Sequence, residues 1–243
     1  DLSGADITGV DMSGTNLTNA NMTGLDFSGV NLSGADMTGV TLTNARTGKI
    51  VGIPTSLPTG YKMVGNWIVG PDVDLTSADF SAYPNEFIGV DLTDCNLTNV
   101  NFTGVFLSGT KLTNADMTGV TLTDATTGEI VGTPSSLPTG YKMVGNWIVG
   151  VGVDLTSADF SANPNEFVGV DLTDCNLTNV NFTGASLSDT ILTNADMTGA
   201  ILSGTTTGVL ASSINTTLPS NEYILYNNWI IGDDIIAIDA DLR

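Results

Sequence analysis

Apolar residues fall at every fifth position from the start of the chain, at Leu2, Ile7, Met12, Leu17, Met22, Phe27, Leu32, Met37 and Leu42, without a slip. The residues around each centre repeat as well. A small or apolar residue stands two places before (Ala5, Val10, Thr15, Ala20), and Asp or Asn stands one place before (Asp6, Asp11, Asn16, Asn21). Ser or Thr follows the centre, then most often Gly or Asn. This period is neither that of a helix nor the strict alternation of an ordinary strand. It predicts a coil with flat sides, each side ending in a corner, with two positions per side turned inward and three facing water. Stacked coils then satisfy their backbone groups along the axis, at the ~4.8 Å spacing of paired strands.

A longer period overlies the short one. Residues 47–125 and 127–205 align without a gap, setting Trp67 with Trp147, Leu75 with Leu155, Phe80 with Phe160 and Cys95 with Cys175. A third, diverged copy begins near Gly208 and keeps Leu218-Pro219, Trp229 and Ala240-Asp241-Leu242. The expected organisation is a single solenoid over 1–243, with coils at 1–45, an 80-residue unit at 46–125, a second at 126–205 and a partial one at 206–243. Near-identical tandem units suit an array whose members contact only their neighbours.

The stretches A-D-I-T-G, T-N-L-T-N, A-N-M-T-G and A-D-M-T-G resemble the pentapeptide-repeat family, whose consensus is A-(D/N)-L-x-x. The resemblance implies an all-β fold, a right-handed quadrilateral parallel β-helix with four pentapeptides to a coil. Loop excursions at about 46–60, 126–140 and 206–222 would interrupt it, each carrying a Leu-Pro element.

Tyr61–Val69 admits two readings. One is a hairpin with Gly65-Asn66 as a two-residue turn. The other keeps the five-residue period with Met63 and Ile68 as interior centres. The second gives each unit twelve centres, hence three whole coils, and is preferred for closing the count. It sets Phe27, Met63, Phe87 and Leu107 in one interior column and Leu42, Phe80, Phe102 and Leu122 in another.

Composition excludes several classes of function. The 243 residues hold 26 Asp or Glu against 6 Lys or Arg, a net charge of −20, and no histidine. Six cations cannot build a phosphate-binding surface, so direct nucleic-acid binding is not expected. No apolar run approaches membrane-spanning length. Serine and threonine have no histidine to activate them, and no Gly-rich phosphate loop with a lysine is present. An enzyme is not expected, nor is a cofactor or metal. Calcium-loop spacing is absent, and the acidic Gly232-Asp233-Asp234 and Asp91/Asp94 are isolated.

Three sets of residues stand out. Asn16, Asp36, Asp74, Asn96, Asp116, Asp154, Asn176 and Asp196 form one column under the preferred phase, a candidate interaction ladder. It reads either as a negative face imitating a DNA backbone or as the corner hydrogen bonding that the repeat demands, with Asp–Asn mixing easing like-charge repulsion. Trp67, Trp147 and Trp229 lie one place before a centre, an outward position, where they cover the excursions or offer aromatic contacts to a partner. Cys95 and Cys175 replace alanine at an inward position, too far apart for a disulfide. The sequons, such as Asn16-Leu-Thr, follow from the repeat itself.

Two functions remain in view. The first is a structural one, a segment of a longer acidic rod serving as spacer, surface or appendage element or virion fibre, with the protein itself as partner, end to end or laterally. Asp1-Leu2 and Asp241-Leu242 both read as cuts through a pentapeptide. The second follows from the resemblance: the best-understood pentapeptide-repeat proteins mimic duplex DNA and bind the basic groove of type II topoisomerases such as gyrase. High aspartate and low lysine lean towards an extracellular, cell-surface or virion setting.

Overall fold

The computed structural model describes residues 1–232 and 235–237. Two compact units make up the chain: Asp1–Thr121 with Ile130–Thr139, and Leu122–Glu129 with Gly140–Arg243. These boundaries interleave around residues 122–140 and do not follow the repeat seen in the sequence.

In the first unit, residues twenty apart stand side by side in parallel: Asp11 beside Asn31, Asn16 beside Asp36, Asn21 beside Thr41, Asp26 beside Arg46. Four fives therefore make one coil, and the fold is a quadrilateral parallel β-helix, right-handed as parallel crossovers are. The backbone bonds run between coils. Leu17 donates to the Asp36 carbonyl at 2.8 Å, and Asp36 donates to the Thr15 carbonyl of the coil before at 3.0 Å. Each corner is a turn in which the centre's carbonyl accepts from the residue three places on, as from Ala20 N–H to Leu17 at 2.9 Å. The third residue of that turn is left-handed, with φ 59° at Asn19 and 69° at Gly39. That backbone is why Gly and Asn recur there. A Cβ at Gly39 would also lie 2.3 Å from Asn19 Oδ1 of the coil before.

The interior holds the five-residue centres and the small residues two places ahead of them. Met22, Phe27, Leu32, Met37 and Leu42 are buried, interleaved with Val30, Ala35 and Ala45. Burying each large side chain stabilises the coil by roughly 1.5–3 kcal/mol.

The hairpin, not the pair of pentapeptide faces, forms at Tyr61–Val69. Strand β1 (Lys62–Val64) runs antiparallel to β2 (Trp67–Val69), with Lys62 opposite Val69 and Met63 opposite Ile68. Met63 is half-buried in the hairpin rather than an interior centre, whereas Ile68 is fully buried. Gly65, at φ 58°, supplies the positive φ of the two-residue turn. Cross-strand pairing satisfies part of these backbone groups, and the hairpin also bonds back to the wall: Ile68 N–H donates to the Thr47 carbonyl at 3.3 Å, and Ile50 N–H donates to the Asn66 carbonyl at 3.0 Å.

The stretch expected to leave the wall stays in it. Val51 pairs with Asn31 and Ser56 with Asp36, while Thr47, Ile50 and Pro54 are buried. The coil from Arg46 to its neighbour Asp74 thus takes 28 residues, and the steps from Asp74 to Asn96 and Asp79 to Asn101 take 22, the latter holding the two-residue bulge before Phe87.

This corrects the expected phase. Phe27 is followed in its column by Thr47 and Leu75, because Phe27 N–H bonds to the Arg46 carbonyl at 2.9 Å and Arg46 stands beside Asp74. Met63 is absent from that column. Ser56 and Ser136, equivalent in the repeat and both in the first unit, lie on columns two faces apart. The 80-residue period therefore ends on a half coil rather than a whole one. Phe80, Phe87 and Phe102 fill the interior beyond the hairpin, with centroids 4.7 Å, 5.8 Å and 5.0 Å apart pairwise, and Trp67 meets Phe80 edge-on at 6.1 Å.

The second unit repeats this local structure. Strand β3 (Lys142–Val144) pairs antiparallel with β4 (Trp147–Val149) in the same register, Lys142 opposite Val149. Thr126, Asp154, Asn176 and Asp196 stand successively side by side, and Phe160, Phe167 and Phe182 pack with centroids 4.7, 5.9 and 5.1 Å apart. Strand β5 (Thr206–Thr207) pairs in parallel with β8 (Ile236–Ala237). A third hairpin joins β6 (Ile224–Tyr226) to β7 (Trp229–Ile231). Its turn residues Asn227 and Asn228 both have positive φ, 48° and 62°, as a type I′ turn requires. Asp233-Asp234 and Ala240-Asp241-Leu242, singled out in the sequence, lie outside the described residues.

Candidate interaction surface

Each Asp or Asn before a centre performs a local task first. Its Oδ1 accepts from the backbone N–H two residues on: Thr8 to Asp6 at 3.0 Å, Thr18 to Asn16 at 3.0 Å, Thr38 to Asp36 at 3.0 Å, Thr118 to Asp116 at 3.0 Å. The following hydroxyl often donates to the same oxygen, as Thr18 does at 2.6 Å and Thr38 at 2.7 Å. This is the Asx turn, which explains why the position most often takes a short side chain with an acceptor oxygen.

The second task is between coils. Asn101 Nδ2 donates to Asp79 at 3.0 Å and Asn181 to Asp159 at 2.9 Å, and at the corner two places after a centre Asn114 donates to Asp94 at 3.0 Å. An amide above a carboxylate turns a repulsive contact into a hydrogen bond.

The ladder expected from the sequence does not exist as one column. Asn16 and Asp36 are continued by Ser56. Asp74, Asn96 and Asp116 are preceded by Arg46 and followed by Ser136, on a column two faces round the same coil. Asp154, Asn176 and Asp196 run in the second unit between Thr126 and Thr217. The count slipped because residues 46–57 remain in the wall and add faces the expected phase left out, while the hairpin stands in the place of one face rather than two.

Some of the carboxylates are held ionised by their donors. Ser56 and Thr38, by hydroxyl and backbone donation, bring Asp36 down to about 2. Ser136 and Thr118 lower Asp116 in the same way, and hydroxyl and backbone donation lowers Asp6, Asp11, Asp26, Asp79 and Asp159. Partial burial opposes this at Asp91, but Thr93 and Lys111 still bring it below its ordinary value. Three of the four lysines pair with acids at exposed sites, Lys62 with Glu86 and Lys142 with Glu166 at 2.7 Å, and Lys111 with Asp91 at 3.0 Å. Such pairs add little stability, but they leave the remaining aspartates to set the surface charge.

The tryptophans do not stand outward. Trp67 is 9% exposed, and its ring lies where a side chain on Gly48 would be, 2.4 Å from a Cβ built there. Trp147 stands equally close to Gly128, and Trp229 is buried. The indoles of Trp67 and Trp147 close the wall over the segments that precede their hairpins. Tyr61 supports the same corner, stacked on Gly70 with its hydroxyl donating to the Pro71 carbonyl at 2.9 Å. Burial, with nearby Asp72, pushes Tyr61 up to about 12.

Cys95 and Cys175 are free, buried thiols, each donating to a carbonyl, Gly70 and Gly150 respectively, at 3.0 Å. Burial pushes both up to about 12. Among the described residues no group of three metal-ligating side chains comes together, and no helix is long and apolar enough to cross a membrane. Sequence reading passed over one cluster, the exposed Tyr83, Ile88 and Phe106 of the first unit. Each interrupts the polar outer pattern, which is the signal that marks it.

Residues 1–39, 86–126 and 166–204 match the family model for pentapeptide repeats, in eight copies. No curated protein matches the chain in sequence. Among solved structures the chain is similar to HetL, a pentapeptide repeat protein involved in heterocyst differentiation regulation from the cyanobacterium Nostoc sp. strain PCC 7120. The identity is 19% over 85% of this chain and 91% of that one, with a TM-score of 0.22. It is also similar to a trypsin-treated form of QnrB1, a plasmid-mediated fluoroquinolone resistance protein, at 12% identity over 94% and 88% and a TM-score of 0.22. A third likeness is to Rfr23, a pentapeptide repeat protein from the cyanobacterium Cyanothece 51142, at 18% identity over 90% and 88% and a TM-score of 0.11. Superpositions this poor carry no argument about function.

Proposed function

We propose that this chain, which belongs to the pentapeptide-repeat family, is a non-catalytic scaffold whose working part is its repetitive acidic wall, assembling with further copies of itself coil on coil. The observation behind this reading is the commitment of the ladder side chains. Asp36 accepts from Thr38 and Ser56, and Asp116 from Thr118 and Ser136, so the acidic column is spent on turns and coil stacking before any ligand arrives. A parallel backbone ladder is also a template that another coil can extend. Function then lies in spacing and charge rather than in a pocket.

Electron microscopy of the full-length protein at rising concentration, in low and high salt, tests this reading. Filaments or lengthening particles that grow with salt support it, since screening relieves the repulsion between acidic copies. Discrete particles that never associate would sink it.

A second reading has one observation in its favour. Hydrogen bonding lowers Asp36 and Asp116 below the ordinary carboxylate value, and the recurring aspartates give the wall a negative face of the kind that fits a basic protein groove such as that of a type II topoisomerase. Arg46 inside the column and the Asn steps dilute that face. A gyrase supercoiling assay distinguishes the two: inhibition or protection that fades steeply with salt favours mimicry, and no effect favours the scaffold.

A further inference from the structure

Tyr83, Ile88 and Phe106 are exposed apolar side chains of the first unit, 36%, 56% and 40% exposed respectively. Phe106 N–H donates to the Pro84 carbonyl at 2.8 Å, and Gly89 N–H donates to the Ser108 carbonyl at 2.9 Å, which sets Phe106 diagonally across from Ile88 on neighbouring coils. Diagonal neighbours on a sheet lie about 7–8 Å apart, within reach of an aromatic ring. Tyr83, next to Pro84, lays its hydroxyl over the hairpin turn, 2.6 Å from where a Gly65 Cβ would stand.

The chain contains its own control. At the equivalent places the second unit has Asn163, Val168 and Ser186. The wall there is unchanged: Ser186 N–H donates to the Pro164 carbonyl at 2.7 Å, Lys142 meets Glu166 at 2.7 Å, and the Phe160–Phe167–Phe182 cluster matches its counterpart to within 0.1 Å in centroid spacing. The fold therefore does not need the Phe106 ring or the Tyr83 ring. Large apolar side chains held partly in water at places where the fold does without them point to a contact with something else.

The charge around the patch says what kind of partner fits. The charges beside it pair off, Lys62 with Glu86 and Lys111 with Asp91, so the acidic excess is that of the chain as a whole, 26 acids against 6 bases. A second copy brings the same excess and meets repulsion. A segment with apolar side chains and a Lys/Arg rim meets attraction and covers the rings at once. We propose that the Tyr83–Ile88–Phe106 patch anchors a basic amphipathic segment of a partner protein. This is independent of coil-on-coil assembly, which runs through backbone edges rather than this face.

The test titrates a labelled peptide of alternating Leu and Lys, and a second peptide with Ser for Leu, into the full chain and into the Tyr83→Asn/Ile88→Val/Phe106→Ser variant. That variant takes the residues the chain already tolerates at 163, 168 and 186 and leaves the net charge alone, and its circular dichroism and melting curve should match the parent. The Leu/Lys peptide should bind the variant about tenfold more weakly than the parent, the size expected when central anchors are lost. The reverse graft, Asn163→Tyr/Val168→Ile/Ser186→Phe, should add one binding equivalent. The proposal is overturned if the variant binds as tightly as the parent, if the Ser peptide binds the parent as tightly as the Leu peptide, or if the graft adds no site. It is also overturned in favour of self-association if sedimentation shows the parent dimerising and the variant monomeric.

Discussion

Ser56 and Ser136 are equivalent residues in the repeated sequence, yet Ser56 stands beside Asp36 and Ser136 beside Asp116, on columns two faces apart in the same unit. Both hydroxyls donate to the aspartate they face, so the local chemistry is conserved while the face is not. A period of 80 residues thus repeats the hydrogen bonds and rotates the direction in which they point.

The Asp36 contact makes a pH prediction. Its folded value is about 2, against 3.8 for the free side chain. A depressed carboxylate contributes stability that is present above its unfolded value and is lost as pH falls through the folded one. The wall should therefore lose stability between about pH 4 and pH 2. Asp36→Asn keeps the acceptor oxygen without the titration, so its urea midpoint should fall less over that interval than the parent's.

Phe80 and Met63 separate the hairpin from the regular wall. Phe80 is fully buried against Trp67, Phe87 and Phe102. Phe80→Ala should cost about 3–5 kcal/mol in chemical denaturation. Met63, half-buried in the hairpin, should cost about 1 kcal/mol or less as Met63→Ala. Equal losses would mean that Met63 is an interior centre after all.

At Gly48 the limit is space, because a Cβ would enter the Trp67 ring at 2.4 Å. Gly48→Ala should destabilise by about 1–3 kcal/mol through overpacking and shift the tryptophan emission. At Gly60 the limit is the backbone alone, since φ is +90° with nothing within 4 Å. Gly60→Ala should cost about 1–2 kcal/mol with the emission unchanged.

Cys95 and Cys175 should resist alkylation. Each thiol is buried, hydrogen-bonded to a carbonyl and pushed up to about 12. Mass spectrometry after iodoacetamide treatment at neutral pH should find no adduct on the folded chain and two after unfolding. Rapid labelling of the native protein would contradict the burial.

The sequence alone determined the coil. An apolar centre every five residues, an Asx before it and a Gly or Asn two after it each report a local requirement: a buried position, a turn acceptor and a left-handed corner. Local requirements are legible because every coil repeats them. The inward place of Cys95 was legible for the same reason. What only the tertiary structure decided was which residues share a face. Lys62–Val69 can pair with itself or with the wall, and both choices satisfy the same backbone groups. Self-pairing won, residues 46–57 kept their places beside Asn31 and Asp36, and every column after Arg46 moved accordingly. Trp67 turned inward for the same reason, since its strand belongs to the hairpin and not to a pentapeptide face. Register is a long-range property: one segment's choice of partner is worth little locally, yet it fixes the facing of every residue stacked beyond it.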